Sequence, residues 1–302
     1  MSNPEKEVIE TLVVGGGPAG LTAAIYLGRF RRRTLVVDDN KSRAAWIPLS
    51  RNCPGYPDGV SGQHLLERLR IQAAQFGAQF LAGTVTALGM QPDGCFWAVV
   101  NGEEIIARTV LLASGIVDRK PDMQKLREAV QLGVIRFCPI CDAAETTDKK
   151  VAILASGEER VGHARFLRTY TRDVTLLSLG APVAESERER LKGADIQLIE
   201  HVSAELVLVE GKIITKSRDK EERSFDVVYP MLGCVAETKM LAFEVEKNSI
   251  GELKVNRFQQ SSVPGLYAAG DISEGLNQIS VSFSQGAVAA CHIHESLSSN
   301  FC

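Results

Sequence analysis

Val8-Ile9-Glu10-Thr11-Leu12-Val13-Val14-Gly15-Gly16-Gly17-Pro18-Ala19-Gly20 is the stretch that decides the fold. An apolar, β-branched run gives way to glycines. Leu21, Ala24, Ile25 and Leu27 then recur at helical spacing, so the segment predicts strand, tight turn and helix. Gly15, Gly17 and Gly20 meet the G-x-G-x-x-G spacing of a dinucleotide-binding turn. The first glycine permits the turn, the second lets backbone approach a pyrophosphate, and the third lets the helix lie against the strand. The helix start offers bare N–H groups and a partial positive charge to the phosphates. A second strand, Thr34–Val37, ends in Asp38-Asp39, at the interval where a carboxylate accepts ribose hydroxyls. Asp38, nearer the strand, is the better placed of the two.

Beyond this unit the chain has little periodicity from Asn40 to Gly62, including Ser42–Pro48 and Asn52–Pro57. An irregular loop of that length inside a compact domain usually has a job, and a lid over a bound ring is one. A helix is predicted over Gln63–Phe76. Strands are predicted at Thr84–Leu88, Cys95–Val100 and Glu103–Ile106, with Asn101-Gly102 as a hairpin turn. Val110–Ala113 reads as a buried strand ending in Ser114-Gly115. Near the other end of the chain, Val263–Asp271 is a strand ending in Gly270-Asp271, where Asp271 is placed to accept hydrogen bonds from flavin ribityl or ribose hydroxyls. A long helix follows over Gln278–Leu297, with small residues Gly286, Ala287, Ala289 and Ala290 for close packing. Its N-terminus would stabilise negative charge on a reduced flavin ring.

Between these parts lies Phe137-Cys138-Pro139-Ile140-Cys141-Asp142, preceded by a predicted helix over Met123–Val130 and a short strand over Val134–Phe137. Two thiols at this spacing read as a redox pair or half of a metal site. A structural zinc wants four Cys or His ligands, and no second C-x-x-C or H-x-x-x-H accompanies this one, so no metal is expected. Asp142 is where a carboxyl would move the proton that dithiol exchange takes up or releases. From Lys150 a second strand–turn–helix–strand begins, with its second strand at Val174–Leu177. Its turn is Ala155-Ser156-Gly157-Glu158-Glu159-Arg160, and two carboxylates in the first helical turn would repel a phosphate. Ser178-Leu179-Gly180 offers no Arg to grip a ribose 2′-phosphate. A hairpin at Ala204–Val209 and Lys212–Lys216, a buried strand at Phe225–Tyr229 and a crossing back at Glu244–Asn248 complete the insertion.

The 302 residues carry a net charge of -3, which argues against a nucleic-acid or membrane-surface partner. The run Arg29–Arg33 is a solvated helix end beside a C-terminal dipole. No apolar run reaches the roughly 18 residues that span a bilayer, and the polar start Met1–Glu10 is not a secretory leader. Seven scattered cysteines, an odd number, suit a reducing compartment, so a cytoplasmic location is expected.

Taken together, GGGPAG at 15–20, Ala113-Ser114-Gly115, CPICD at 138–142 and GLYAAGD at 265–271 resemble the low-molecular-weight thioredoxin reductases nearly end to end. The resemblance implies an α/β fold of two Rossmann-like, three-layer domains with β-meanders. Both ends of the chain, 1–116 and 248–302, would form the FAD domain, and 117–247 an inserted NADPH-domain-like unit carrying the C-x-x-C. It implies Cys141 as the flavin-facing sulfur, Cys138 as the one that exchanges with substrate and Asp142 as proton donor. Cofactor contacts are expected at Gly15, Gly17, Pro18, Ala19, Gly20, Asp38, Asp39, Trp46, Asn52, Val85, Ala113, Ser114, Gly115, Gly270, Asp271, Gln278 and Ile279. The altered second turn and Ser178-Leu179-Gly180 look like a divergent branch, which includes diflavin-linked and ferredoxin-dependent or oxygen-dependent disulfide oxidoreductases. For such a member the donor is not NADPH but ferredoxin, a second flavin stacked near Trp46 and Tyr56, or, in the opposite direction, oxygen. The exchange partner would be a thioredoxin-like protein or a small dithiol. The family analogy adds a homodimer. An NADPH-dependent thioredoxin reductase and a non-enzymatic flavin-binding sensor are the alternatives.

Overall fold

A computed structural model of the chain describes residues 8–157, 159–200, 202–217 and 221–301. They divide into two units. The first takes the chain up to Ala45, Ser61–Val117 and everything from Val235; the second takes Trp46–Val60 and Asp118–Cys234.

The first unit opens with β1 (Ile9–Val14), α1 (Pro18–Arg29) and β2 (Thr34–Asp38), the right order for a parallel βαβ. Pro18 suits the first helical position because its missing N–H would have had no intrahelical acceptor there. Then come α2 (Gly62–Gln75), whose Ser61 Oγ accepts the His64 N–H at 3.2 Å, and β3 (Gln79–Ala82). A meander follows: β4 (Val85–Met90), β5 (Phe96–Val100) and β6 (Glu103–Leu112). Asn101 and Gly102 both have positive φ, 52° and 82°, as the primed hairpin turn expected of Asn-Gly requires. The two strands expected at Glu103–Ile106 and Val110–Ala113 are one. The polar interruption at Thr109 is absorbed because its hydroxyl lies 3.0 Å from Thr11 Oγ1 and 2.8 Å from the Glu10 carbonyl.

β6 organises the sheet. Its second half pairs in parallel with β1 on one edge, while the other edge takes β5 antiparallel against its first half. After the insertion, β16 (Leu266–Ala268) joins that same edge in parallel at Val110–Leu112. The order is β3-β2-β1-β6-β5-β4, with β16 also on β6.

The second unit lies between two short strands, β7 (Ile116–Asp118) and β15 (Cys234–Ala236), which pair with each other. In order it contains α3 (Leu126–Gln131), α4 (Pro139–Asp142), β8 (Val151–Ala155), α5 (Arg160–Leu167), β9 (Val174–Ser178), α6 (Glu185–Gly193) and β10 (Gln197–Glu200). A small antiparallel sheet of β11 (Val202–Val209), β12 (Lys212–Ser217) and β13 (Glu222–Phe225) precedes β14 (Val227–Met231). The parallel order is β10-β9-β8-β14, with α5 and α6 beside it. The strand expected at Val134–Phe137 reduces to a single bridge, Ile135 to Val228.

Two boundaries differ from the sequence expectation. Residues 235–247 belong with the first unit, because β4 holds them: Leu88 N–H donates to the Met240 carbonyl at 2.7 Å, and Ala242 N–H to the Leu88 carbonyl at 2.9 Å. The irregular stretch Trp46–Val60 belongs with the second. The last helix, α7 (Ile279–Ser296), returns to pack on α1 through small residues. A Cβ on Gly286 would lie 2.3 Å from the Ala19 carbonyl oxygen, so only glycine allows this separation. Leu27, Val36, Leu111, Tyr267, Ala289 and Ile293 fill the core there, and each fully buried large side chain contributes about 1.5–3 kcal/mol.

Candidate active site

In the first unit the ends of four parallel strands come together: Val14, Asp38, Leu112 and Ala268 each close a strand, and in α/β sheets ligands bind outside such ends. Gly15 turns with φ 108°, its α-carbon against the Ala113 carbonyl. A Cβ on Gly20 would lie 2.1 Å from the Gly15 carbonyl oxygen, which is how the helix sits so close to its strand. Gly17 is the N-cap of α1; no side chain caps the helix and no acid stands in its first turn. Its leading N–H groups therefore face outward with the positive end of the dipole. A Cβ on Gly270, at φ 79°, would come 3.0 Å from the Ala19 Cβ. These bare surfaces fit a diphosphate and an extended dinucleotide such as FAD.

Asp38 is buried at the end of β2, accepting hydrogen bonds from Arg70 Nη2 and, at 3.2 Å, from the Asn40 N–H. Arg70 also stacks on Phe80 and fixes the carboxylate. Asp39 is exposed and held by Lys41 Nζ at 2.9 Å. Ser114 Oγ donates to the Glu237 carbonyl at 2.9 Å, and Asp271 has Arg43 Nη1 3.4 Å from its Oδ2. Gln285 Oε1 accepts the Gly270 N–H at 2.7 Å, pinning the turn before α7.

The second βαβ carries a different chemistry at the equivalent place. Gly157 turns with φ 82°, but α5 starts only at Arg160. Glu159 is thus the N-cap rather than a first-turn residue, a correction to the sequence expectation, and Glu158 lies outside the described residues. Arg160 is buried, and its guanidinium reaches the end of β9. Nη1 donates to Ser178 Oγ at 3.0 Å and to the Ala181 carbonyl at 3.2 Å; Nη2 donates to Glu187 Oε2 at 2.9 Å. A Rossmann fold keeps its ribose-reading side chain at the end of that second strand. Here a cation from the chain itself is installed there. The Arg160 hydrogen bond, first among its causes, holds the Glu187 carboxyl below the usual range.

Cys138 and Cys141 are joined as a disulfide, S–S 2.00 Å, across α4. Cys138 caps that helix, and the Cys141 N–H lies 3.2 Å from its sulfur. Asp142 follows, half-buried, with Arg136 Nη1 3.0 Å from Oδ2 and the Tyr229 hydroxyl donating to Oδ1 at 2.8 Å. Burial pushes its carboxyl up, against the opposing pull of Arg136 and Tyr229. Burial, then the neighbouring carboxylate, pushes the Tyr229 phenol far up, so it stays a neutral donor. Among the described residues no group of three or more His, Cys, Asp or Glu gathers to hold a metal, and no helix is long and apolar enough to cross a membrane.

The first unit thus assembles Gly15, Gly17, Pro18, Ala19, Gly20, Asp38, Ala113, Ser114, Gly115, Gly270, Asp271, Gln278 and Ile279 from one sheet and two helices; Val85 opens β4 and pairs with Val100 in the same sheet. Trp46 and Asn52 belong to the second unit, where Lys120 Nζ stands 3.9 Å from the Trp46 ring centroid. Sequence reasoning missed Arg70, Arg136 and Tyr229 and gave Arg160 no role. For Arg136, Tyr229 and Arg160 the signal was a charged or phenolic side chain in a predicted strand or turn of the site; Arg70, in the middle of a predicted helix, carried none.

The chain matches the family described as Pyridine nucleotide-disulphide oxidoreductase over residues 9–286. It is 31% identical to the thioredoxin reductase of Aquifex aeolicus (strain VF5), covering 99% of this chain and 96% of the relative. It is 31% identical to that of Treponema pallidum (strain Nichols), covering 93% and 94%. Among solved structures, that of HlmI superposes with a TM-score of 0.88 at 26% identity, covering 97% of this chain and 94% of HlmI.

Proposed function

Since the chain belongs to the pyridine nucleotide-disulphide oxidoreductase family, as a flavoprotein disulfide oxidoreductase of the thioredoxin reductase type, we propose that it exchanges electrons with its partners without using NADPH. FAD, when bound, supplies a two-electron carrier for the dithiol–disulfide pair. The residues that would hold it are the Gly15–Gly20 turn and the start of α1 for the diphosphate, Asp38 for a ribose, and Gly270, Asp271 and the start of α7 for the ring end.

The observation that carries the reading is Arg160. Its guanidinium is bonded to Ser178, the Ala181 carbonyl and Glu187 at the end of β9, where a nicotinamide dinucleotide would present its adenosine ribose. Displacing it would break the ion pair with Glu187, which would keep the Ala184 N–H, and would remove this donor from Ser178 and the Ala181 carbonyl. Ferredoxin, a second flavin or oxygen then stands as redox partner.

At the disulfide, a partner thiolate attacks Sγ of Cys138, the Cys138–Cys141 bond breaks, and Cys141 leaves as thiolate. The partner's second thiol then displaces Cys138 and closes the partner's own disulfide. Two electrons and two protons pass to the cysteines, and the reverse sequence reduces a partner. Asp142 takes or returns the proton. The partner is a thioredoxin-like protein or a small dithiol. Offered a partner in its disulfide form, Cys141→Ser should trap a mixed disulfide on Cys138, whose thiolate attacks the partner bond and finds no resolving thiol, and Cys138→Ser should capture nothing.

The NADPH-dependent alternative is favoured by the names of the relatives, which are thioredoxin reductases. Anaerobic mixing separates the two. Dithiothreitol should bleach the oxidised flavin absorbance of the holoenzyme while NADPH leaves it unchanged; prompt bleaching by NADPH would overturn the proposal.

A further inference from the structure

Both oxygens of the Asp142 carboxylate are engaged, each by a different part of the second unit. Arg136 brings Nη1 to 3.0 Å from Oδ2, and Tyr229, fully buried in β14, donates to Oδ1 at 2.8 Å. Each donor is itself fixed. Arg136 Nε donates to the Gly133 carbonyl at 2.9 Å, and its backbone N–H donates to the Val228 carbonyl at 3.1 Å, next to Tyr229 in the chain. Among the described residues, Glu145, in the turn after α4, is a further charged group that acts on Asp142, and Arg51 Nε stands 3.7 Å from Glu145 Oε1. Cys138 and Cys141 carry no charge while joined.

From this arrangement we propose that Arg136 and Tyr229 are positioning residues: they hold the Asp142 carboxyl in one orientation next to the disulfide and favour its charged form, so that it can take the proton of an incoming thiol. The inference rests on the reading above that gives Asp142 the proton transfer. Burial and Glu145 both work to protonate the carboxyl from solvent, and a carboxylic acid cannot accept a thiol's proton. One cation and one neutral phenol oppose them, and the balance leaves the carboxyl a stronger proton acceptor than an exposed aspartate. The balance is simple. The thiol proton moves to Asp142, the thiolate sulfur bonds to Cys138, the disulfide bond breaks, and the departing Cys141 thiolate takes that proton back. Run in reverse, the same group is the acid.

The test is the anaerobic single-turnover rate of dithiothreitol oxidation by the holoenzyme, taken against pH as the ratio of variant to wild type. Arg136→Gln should move the acid limb toward neutral pH by about one unit or more, read as roughly a tenfold loss below the limb and little change above it. Tyr229→Phe, which keeps the ring, should move it the same way by less, and Arg136→Lys, which keeps the charge, should restore most of the wild-type profile. If Asp142→Asn abolishes the limb while Arg136→Gln and Tyr229→Phe leave it in place, the positioning role is wrong and the Asp142 role stands. If Asp142→Asn keeps the wild-type limb, the proton-transfer reading fails, and this inference with it.

Discussion

Gly20→Ala puts one methyl group where α1 meets its strand. The new Cβ would lie 2.1 Å from the Gly15 carbonyl oxygen and 3.1 Å from both Ala113 Cβ and Val13 Cγ1. Non-bonded carbon contacts settle at about 3.5–4.0 Å, so the first turn of α1 must retreat by roughly 1 Å or more. Overpacking of this kind costs about 1–3 kcal/mol, which for a chain of this size lowers the thermal midpoint by about 2–5 °C. The same retreat carries the leading N–H groups away from the diphosphate. Losing one charge-assisted hydrogen bond, worth about 1.5–3 kcal/mol, weakens flavin binding by roughly tenfold or more. The assay is the ratio of flavin to protein absorbance after purification, with thermal unfolding followed by intrinsic and flavin fluorescence. Gly162→Ala is the control: it lies within α5, nothing stands within 4 Å of its Cβ, and relief of backbone entropy should stabilise by about 0.5–1 kcal/mol. Full flavin retention by Gly20→Ala, at a midpoint no lower than wild type, would refute the cradle geometry argued here.

Arg160→Met should cost up to about 3–5 kcal/mol in urea unfolding of the second unit, because the Arg160 and Glu187 side chains are only 7% and 17% exposed and Glu187 would keep only the Ala184 N–H. Adding Glu187→Met should recover most of that loss; two additive losses would mean the pair is not coupled. Acid should weaken the same unit. Glu187 is held down first by Arg160, and Asp226 first by the Lys150 backbone N–H at 2.9 Å. A carboxyl whose folded pKa is depressed stabilises fully above its unfolded value, about 4, and loses that contribution as pH falls through the folded one. The urea midpoint should therefore drop below about pH 4, and Glu187→Gln with Asp226→Asn should flatten the slope; an unchanged slope would exclude these two groups.

Local signals carried much of the fold. The glycine turn, the Asn101-Gly102 hairpin and the small-residue helix were legible because each depends on neighbours within a few positions. The single strand β6 was not, since Thr109 looks like a break until Thr11 supplies its hydroxyl partner from far along the chain. The same reason hid the site's electrostatics. Arg136 and Tyr229 are separated by most of the inserted unit, and their side chains converge on Asp142 only once Ile135 has bridged to Val228. Arg160 reads as one charge beside two acids until the fold brings Ser178 and Glu187 to its guanidinium. The stretch Trp46–Val60 has no periodicity to announce which unit it joins, and cation–ring contacts such as Lys120 on Trp46 exist only after folding.

The shared edge of β6 also sets an order of events during synthesis. The segment that pairs beside Val110–Leu112 is Leu266–Ala268, and the helix that covers the glycine turn comes later still. As the chain leaves the ribosome, the sheet of the first unit has an open seam while the residues from Asp118 to Cys234 emerge and collapse on their own core. The flavin's cradle is therefore finished last, by the tail of the chain, and a nascent polypeptide stopped short of Ala268 would hold a complete redox-active disulfide before it had anywhere to lodge a cofactor.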